Sequence, residues 1–257
     1  MKIGICLCGG GARGIAHIGV LQALEENNIE IEAISGASMG AIVGSLYASG
    51  KKPLEILKIV ESAKLYKLVS WHVPVNGFVE LSYLRKLIAQ NISVDSFSSL
   101  QKKMYVAISN LHTGQCEIIG SGSLFDTVIA SASIPLVFKP IKLGNYSYVD
   151  GGLLNNLPIE PLIETCDFTI GVNVNANVIS DNEKWNLWDI ATRSFDLIMW
   201  NNVLENLKKC DFIIETPQTV NHHVFDFAEA KKIYEYGYRN TVLQIDGLKK
   251  IIQNKKI

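Results

Sequence analysis

Glu30-Ile-Glu-Ala-Ile-Ser-Gly36-Ala-Ser38-Met-Gly40-Ala-Ile-Val-Gly-Ser-Leu46 is the stretch that decides how this chain reads. Ile29 to Ile34 is a short apolar run of the kind that forms a buried strand, and Met39 to Ala48 is an apolar helix stopped by Gly50. Between them lies Gly-x-Ser-x-Gly, the pattern of a nucleophile elbow, in which a strained strand-to-helix turn lifts a serine hydroxyl out of the sheet. Side chains at Gly36 and Gly40 would collide across such a turn. The following helix also aims its first N–H groups at the reacting centre. Glycine and serine are common, so the five-residue pattern is only modestly specific. Its place between a strand and a helix is what marks Ser38 as a candidate nucleophile, against a glycine-rich turn kept for helix–sheet packing alone.

Upstream, Ile3 to Leu7 reads as a strand that enters the turn Gly9-Gly10-Gly11-Ala12-Arg13-Gly14, and a helix follows to Glu26. Strand, helix, strand, helix with short connections predicts parallel strands in a βαβ unit. The glycine turn satisfies Gly-x-Gly-x-x-Gly, the dinucleotide fingerprint, which requires an acidic residue at the end of the second strand to hold a ribose hydroxyl. That strand ends in Ser35-Gly36, and its acids, Glu30 and Glu32, lie at its start. The dinucleotide reading therefore fails, and a glycine loop with bare N–H groups beside a serine reads better as an oxyanion hole. Arg13 is open to three readings: shaping the loop, meeting an anionic head group, or lying solvated at a helix start.

Downstream, the pattern predicts helices from Pro53 and over Leu81 to Ala89, an irregular Trp71 to Phe78, and strands at Met104–Ser109 and Cys116–Ile119 around Thr113-Gly114. A helix over Leu124–Ala132 and a strand over Tyr146–Val149 lead to Asp150-Gly151-Gly152. An aspartate at a strand end, followed by glycines that let other backbone approach, suits a general base, although an ordinary turn aspartate fits too. Phe168 to Val174 is a further strand. Trp185 to Leu207 is a long apolar-rich helix, readable over 185–200 as acyl pocket, lid, dimer surface or plain core. Phe212 to Ile214 is a short strand, and Ala228 to Ile252 is helix interrupted at Gly237. Nothing splits the chain, so one domain over residues 1–257 is expected.

A serine needs a base, and histidine is the usual one. His222 and His223 follow Asp150 in the order Ser, Asp, His, which keeps a full triad in play. Only one strand precedes that of Ser38, unlike the usual triad hydrolase, and this favours Asp150 acting alone. His17 reads as a packing residue near the site, and His72 and His112 fall in loops.

Three motifs in this order, Gly9-Gly-Gly-Ala-Arg-Gly14, Gly36-Ala-Ser-Met-Gly40 and Asp150-Gly-Gly152, resemble those of the patatin-like phospholipases, and Ala130-Ser-Ala-Ser-Ile-Pro135 resembles a further block of that family. The likeness runs from about Ile3 to Val174 and is nearest to the short bacterial members. Residues 175–257 are less characteristic. The resemblance implies a three-layer α/β/α sandwich with a mainly parallel central sheet. It also implies hydrolysis of fatty acyl esters of lipids without metal or other cofactor, through a Ser38–Asp150 dyad and an acyl-enzyme. Oxyanion donors are then expected from Gly10, Gly11 and Ala12 within Gly9–Gly14. Asp-Gly-Gly departs from the more frequent Asp-Gly-Ala without touching the chemistry. An acyltransferase sharing the acyl-enzyme, or an inactive adaptor that kept the fold, are the alternatives, the latter opposed by the intact motifs.

Composition bounds the partners. The 257 residues are 48% hydrophobic and 19% charged with net charge −1, which gives no bulk attraction to nucleic acid and no strong field for an anionic membrane. Lipid contact would have to come from local apolar surface, and peripheral membrane association and a homo-oligomer both stay open. The five cysteines are odd in number and scattered, which fits a reducing compartment. Cys6 and Cys8 read as small core residues rather than a metal pair. The first glycines come before a signal-peptide core could form, and no run of 18 apolar residues exists. A cytoplasmic location is the expectation.

Overall fold

The computed structural model describes residues 1–63, 81–175 and 184–255. The irregular stretch expected over Trp71–Phe78, with His72, lies outside them. β1 (Ile3–Leu7) is followed by α1 (Ala16–Glu26), β2 (Ala33–Gly36), α2 (Met39–Ala48), α3 (Pro53–Ser62) and α4 (Ser82–Asn91). Next come β3 (Lys103–Asn110), β4 (Cys116–Ile119), α5 (Leu124–Ser131), β5 (Ile141–Leu143), β6 (Tyr146–Asp150) and α6 (Glu160–Thr165). β7 (Phe168–Asn173), α7 (Leu187–Leu207), β8 (Phe212–Glu215) and α8 (Ala230–Lys255) complete the order.

The strands form one sheet in the order β5-β6-β3-β2-β1-β7-β8, with β4 also paired to β3. The run β3-β2-β1-β7-β8 is parallel, and β4, β5 and β6 join antiparallel. Fully buried β1 carries a continuous apolar run, and β7, buried along its whole length, is apolar but for Thr169 and Asn173, as parallel strands covered on both faces tend to be. One face presents Ile34 and Met104 to α2, and the other presents Gly4 to Leu162 and Cys166 at α6. Helices thus cover both faces of a mainly parallel sheet, the three-layer arrangement expected. Cys6 and Cys8 are buried in that core. The α3 helix turns Ile56, Leu57 and Val60 inward.

Two expectations are corrected. The second strand starts later, at Ala33 rather than Ile29, because the ladder with β1 opens at the pair Gly4–Ala33. Glu30 and Glu32 stay exposed on the approach to it. The second correction concerns Gly237, which does not interrupt the last helix, since α8 runs unbroken through it. A Cβ there would stand 1.9 Å from the Ala16 carbonyl oxygen, so glycine is kept to let α8 lie directly on the start of α1. Close helix approach, not a break, accounts for this residue.

Candidate active site

Three loops at the C-terminal ends of parallel strands converge: the glycine turn after β1, the Ser38 turn after β2, and Val174–Asn175 after β7. That edge is where open α/β sheets bind ligands. Ser38 has φ 53° and ψ −123°, a conformation that costs a non-glycine residue roughly 1–3 kcal/mol. Neighbouring backbone holds it there. A Cβ at Gly40 would lie 2.1 Å from the Leu7 carbonyl oxygen, and one at Gly36 would lie 2.7 Å from the Gly40 carbonyl. The elbow therefore packs glycine against β1 backbone, and the Ser38 N–H donates to Ser131 Oγ at 2.9 Å.

Register brings the aspartate to the serine. β2 ends beside Val106 of β3, and Asp150 at the end of β6 pairs with Ile108 of the same strand. Ser38 Oγ donates to Asp150 Oδ2 at 2.6 Å, across 112 positions of sequence. The other carboxylate oxygen, Oδ1, accepts the Gly152 N–H at 2.8 Å. Backbone fixes the residue further: the Asp150 N–H donates to the Ser133 carbonyl, and Ser109 Oγ donates to the Asp150 carbonyl. Asp150 is fully buried. Burial pushes its carboxyl up to about 7, against the bonds from Ser38 and Gly152 that pull it down.

The glycine turn is held from both sides. Gly9 N–H donates to Asn156 Oδ1 at 2.9 Å, and the Gly9 carbonyl accepts from Asn175 Nδ2 at 2.5 Å. Ala12 N–H donates to the Val224 carbonyl at 2.7 Å, and Arg13 N–H donates to the Gly10 carbonyl. Ala12 is thus removed from the expected oxyanion donors, because its amide is already committed. Gly14 packs flat against Met39. Among the described residues the Gly10 and Gly11 N–H groups have no partner, and both residues border the cavity at Ser38. Arg13 Nε donates to the His222 carbonyl at 2.8 Å, which ties the turn to the 220–225 segment.

Among the described residues no histidine is hydrogen-bonded to Ser38 or Asp150. His17 is buried with Nε2 2.7 Å from the Cys8 carbonyl, and burial lowers it to about 4, so it is neutral. His112 lies beside the Tyr146 ring. His222 is buried next to Tyr236, with Nδ1 3.9 Å from Asp226, and His223 lies against Phe225 at the cavity wall. The Ser38 hydroxyl is instead hydrogen-bonded directly to the Asp150 carboxylate. No group of three or more His, Cys, Asp or Glu side chains is placed to hold a metal among the described residues.

A chamber of about 320 Å3 opens at Ser38 and Asp150, walled by Phe195, Met199 and Trp200 of α7. Asn202 and Asn206 fasten the far half of α7 to the carbonyls of Leu153 and Leu157, just after Asp150. The long helix is therefore chamber wall at one end and core at the other, where Val203 and Leu207 are buried.

Asn156, Asn175 and Ser131 escaped the sequence reading as site residues. Their signals were present: two asparagines inside apolar Leu153-Leu-Asn-Asn-Leu157, an asparagine at the C-terminal end of a parallel strand, and the Ala130–Pro135 block. The Val224 carbonyl carries no such signal, since any residue supplies one.

A family model described as patatin-like phospholipase matches residues 5–163. Lysophospholipase NTE1 of Debaryomyces hansenii is 28% identical over 272 aligned residues, covering 92% of this chain and 17% of its own. An uncharacterised NTE family protein of Mycobacterium tuberculosis is 29% identical over 179 residues, covering 68% of this chain and 50% of its own. The chain thus spans half or less of the length of these relatives. Among solved structures, VipD from Legionella pneumophila superimposes with a TM-score of 0.60 at 16% identity, over 96% of this chain and 67% of that one, a likeness of fold.

Proposed function

The chain belongs to the patatin-like phospholipase family, and from that premise we propose that it is a serine lipid acyl hydrolase working through a Ser38–Asp150 dyad. The observation that carries the reading is the direct 2.6 Å hydrogen bond from Ser38 Oγ to Asp150 Oδ2 at the floor of a chamber. Ionised Asp150 accepts the serine proton as Oγ attacks an ester carbonyl. The Gly10 and Gly11 N–H groups meet the oxyanion, where loss of one such donor costs roughly 100- to 1000-fold in rate. Protonated Asp150 then gives its proton to the departing alkoxide, leaving an acyl-enzyme. Water enters, Asp150 takes a proton from it as the hydroxide adds to the acyl carbon, and Asp150 returns that proton to Ser38 Oγ as the acid is released. Fatty acid release from a panel of phospholipids and lysophospholipids, lost when Ser38 is replaced, is the expected result. Equal release by the Ser38→Ala protein would remove the reading.

In this scheme histidine has no chemical step. The double variant His222→Gln, His223→Gln is expected to keep turnover within about tenfold of the parent, the residual effect coming from the His222 segment that receives Arg13. A loss on the scale of a removed nucleophile would restore the triad.

The chamber's rim supports contact with a lipid surface. Leu136, Trp185 and Leu197 border the chamber and are exposed, and Leu187 and Ile190 stand 84% and 50% exposed on the same end of α7. No helix among the described residues is long and apolar enough to cross a membrane. We therefore place the protein peripherally at its substrate, with the chamber mouth against the lipid. Leu136→Asp combined with Leu187→Asp is expected to lower co-flotation with phosphatidylcholine vesicles at least fivefold while a water-soluble ester is still hydrolysed. Undiminished flotation would contradict the placement.

A further inference from the structure

Ser38 stands where two cavities of unlike chemistry meet. The chamber carries Asp150, Arg13, Asp196 and His223 beside its aromatic wall. The second cavity, of about 40 Å3, is an apolar slot reaching toward Ile42 of α2, Leu84 of α4, Phe138 and Phe227. Among the described residues no charged side chain lines it. Gly11, Ile134, Val224 and Phe225 border both and form the partition.

A tetrahedral carbon on Ser38 Oγ has three other substituents, and each has its own requirement. The oxyanion needs amide donors, and Gly11 at the partition and Gly10 on its chamber side offer them. The leaving alkoxide, whose bond to the acyl carbon breaks, needs the proton that Asp150 took from Ser38. Asp150 borders the chamber and not the slot. Water for the second step must also reach Asp150, so it comes through the chamber as well. The acyl chain needs neither proton nor donor, only apolar surface removed from water.

We infer that the slot receives the acyl chain and the chamber receives the alcohol half of the ester, with Ile42 and Phe138 setting which acyl lengths are gripped. The inference rests on Ser38 being the nucleophile proposed above. A water-sized group takes roughly 10–15 Å3 of such space, so the slot grips about three or four methylenes beyond the carbonyl. Selectivity for the acid is then decided by the first five or so carbons. Each gripped methylene raises kcat/KM by about fourfold, and the gain levels off beyond them.

The test is a series of p-nitrophenyl esters from acetate to octanoate, read as the hexanoate-to-acetate ratio of kcat/KM. Ile42→Trp fills the slot and should lower that ratio at least tenfold. Trp200→Ala, in the chamber wall, should leave the ratio within about threefold and instead alter discrimination between leaving alcohols at fixed acyl length. A ratio that follows Trp200→Ala and ignores Ile42→Trp overturns the assignment. Should Ile42→Trp not fold, the unmodified protein decides: a crystal structure of its Ser38 adduct with a hexylphosphonate is expected to show the chain beside Ile42 and Phe138. A chain lying against Trp200 overturns the assignment. Failure of any phosphonate to modify Ser38 strikes the nucleophile reading itself, and the acyl placement falls with it.

Discussion

Ser38→Ala is expected to lower kcat for ester hydrolysis by at least about 10⁴-fold, leaving only what the amide donors and binding provide without a nucleophile. The loss is chemical, not structural. Alanine occupies the same positive-φ backbone as serine, the Ser38 N–H keeps its bond to Ser131, and the glycine contacts of the elbow are untouched. What disappears is one hydroxyl, and with it the hydrogen bond that draws the Asp150 carboxyl downward. The Ser38→Ala protein should therefore melt within a few degrees of the parent while turning over no ester. Initial rates alongside a thermal melt check both halves. Retention of more than about 1% of turnover in a folded variant would refute the assignment.

Asp150→Asn should be nearly as damaging to turnover, by about 10³- to 10⁴-fold, and should raise stability near neutral pH and above. Asparagine keeps the shape but cannot accept the serine proton. In the parent the base must be ionised, so kcat/KM should fall as pH drops through about 7. Stability follows from the same shift. The unfolded carboxyl ionises near 3.8 and the folded one near 7, so between those values the unfolded state binds fewer protons. Stability is therefore fullest below about pH 4, declines as pH rises to about 7, and stays low above that. A gap of about three pKa units corresponds to at most about 4 kcal/mol. Asparagine carries no such penalty. The variant should melt several degrees above the parent at pH 8, and the difference should vanish near pH 4. Equal melting of the two proteins at both pH values would show that the buried carboxylate carries no such cost.

Local signals account for the parts of the fold that were legible in the sequence. α2 and β4 fall at the residues expected, since Gly50 and Thr113-Gly114 mark ends that local chemistry dictates. β2 and Gly237 were misread for a shared reason: both depend on a partner distant in sequence. The start of β2 is set by its pairing with β1, and Gly237 answers to the Ala16 carbonyl across a helix pair. The same division runs through the site. Ser38 and Asp150 each advertise themselves by a short motif, and Gly10 and Gly11 by theirs. Ala12 looked equivalent to them until Val224, far along the chain, proved to hold its amide. Asn156 and Asn175 stand out locally as asparagines in apolar surroundings, but their hold on the turn comes from contacts with Gly9, which is distant in sequence.

The central claim is that Asp150 activates Ser38 with no histidine between them. The rate at which a fluorophosphonate modifies the protein, followed by mass spectrometry from pH 5 to 9, tests it most directly. The account predicts a single adduct on Ser38, a rate that climbs through one ionisation near 7 and levels above it, and loss of that climb in Asp150→Asn. An adduct on another residue, or a pH profile that Asp150→Asn leaves unchanged, would contradict it.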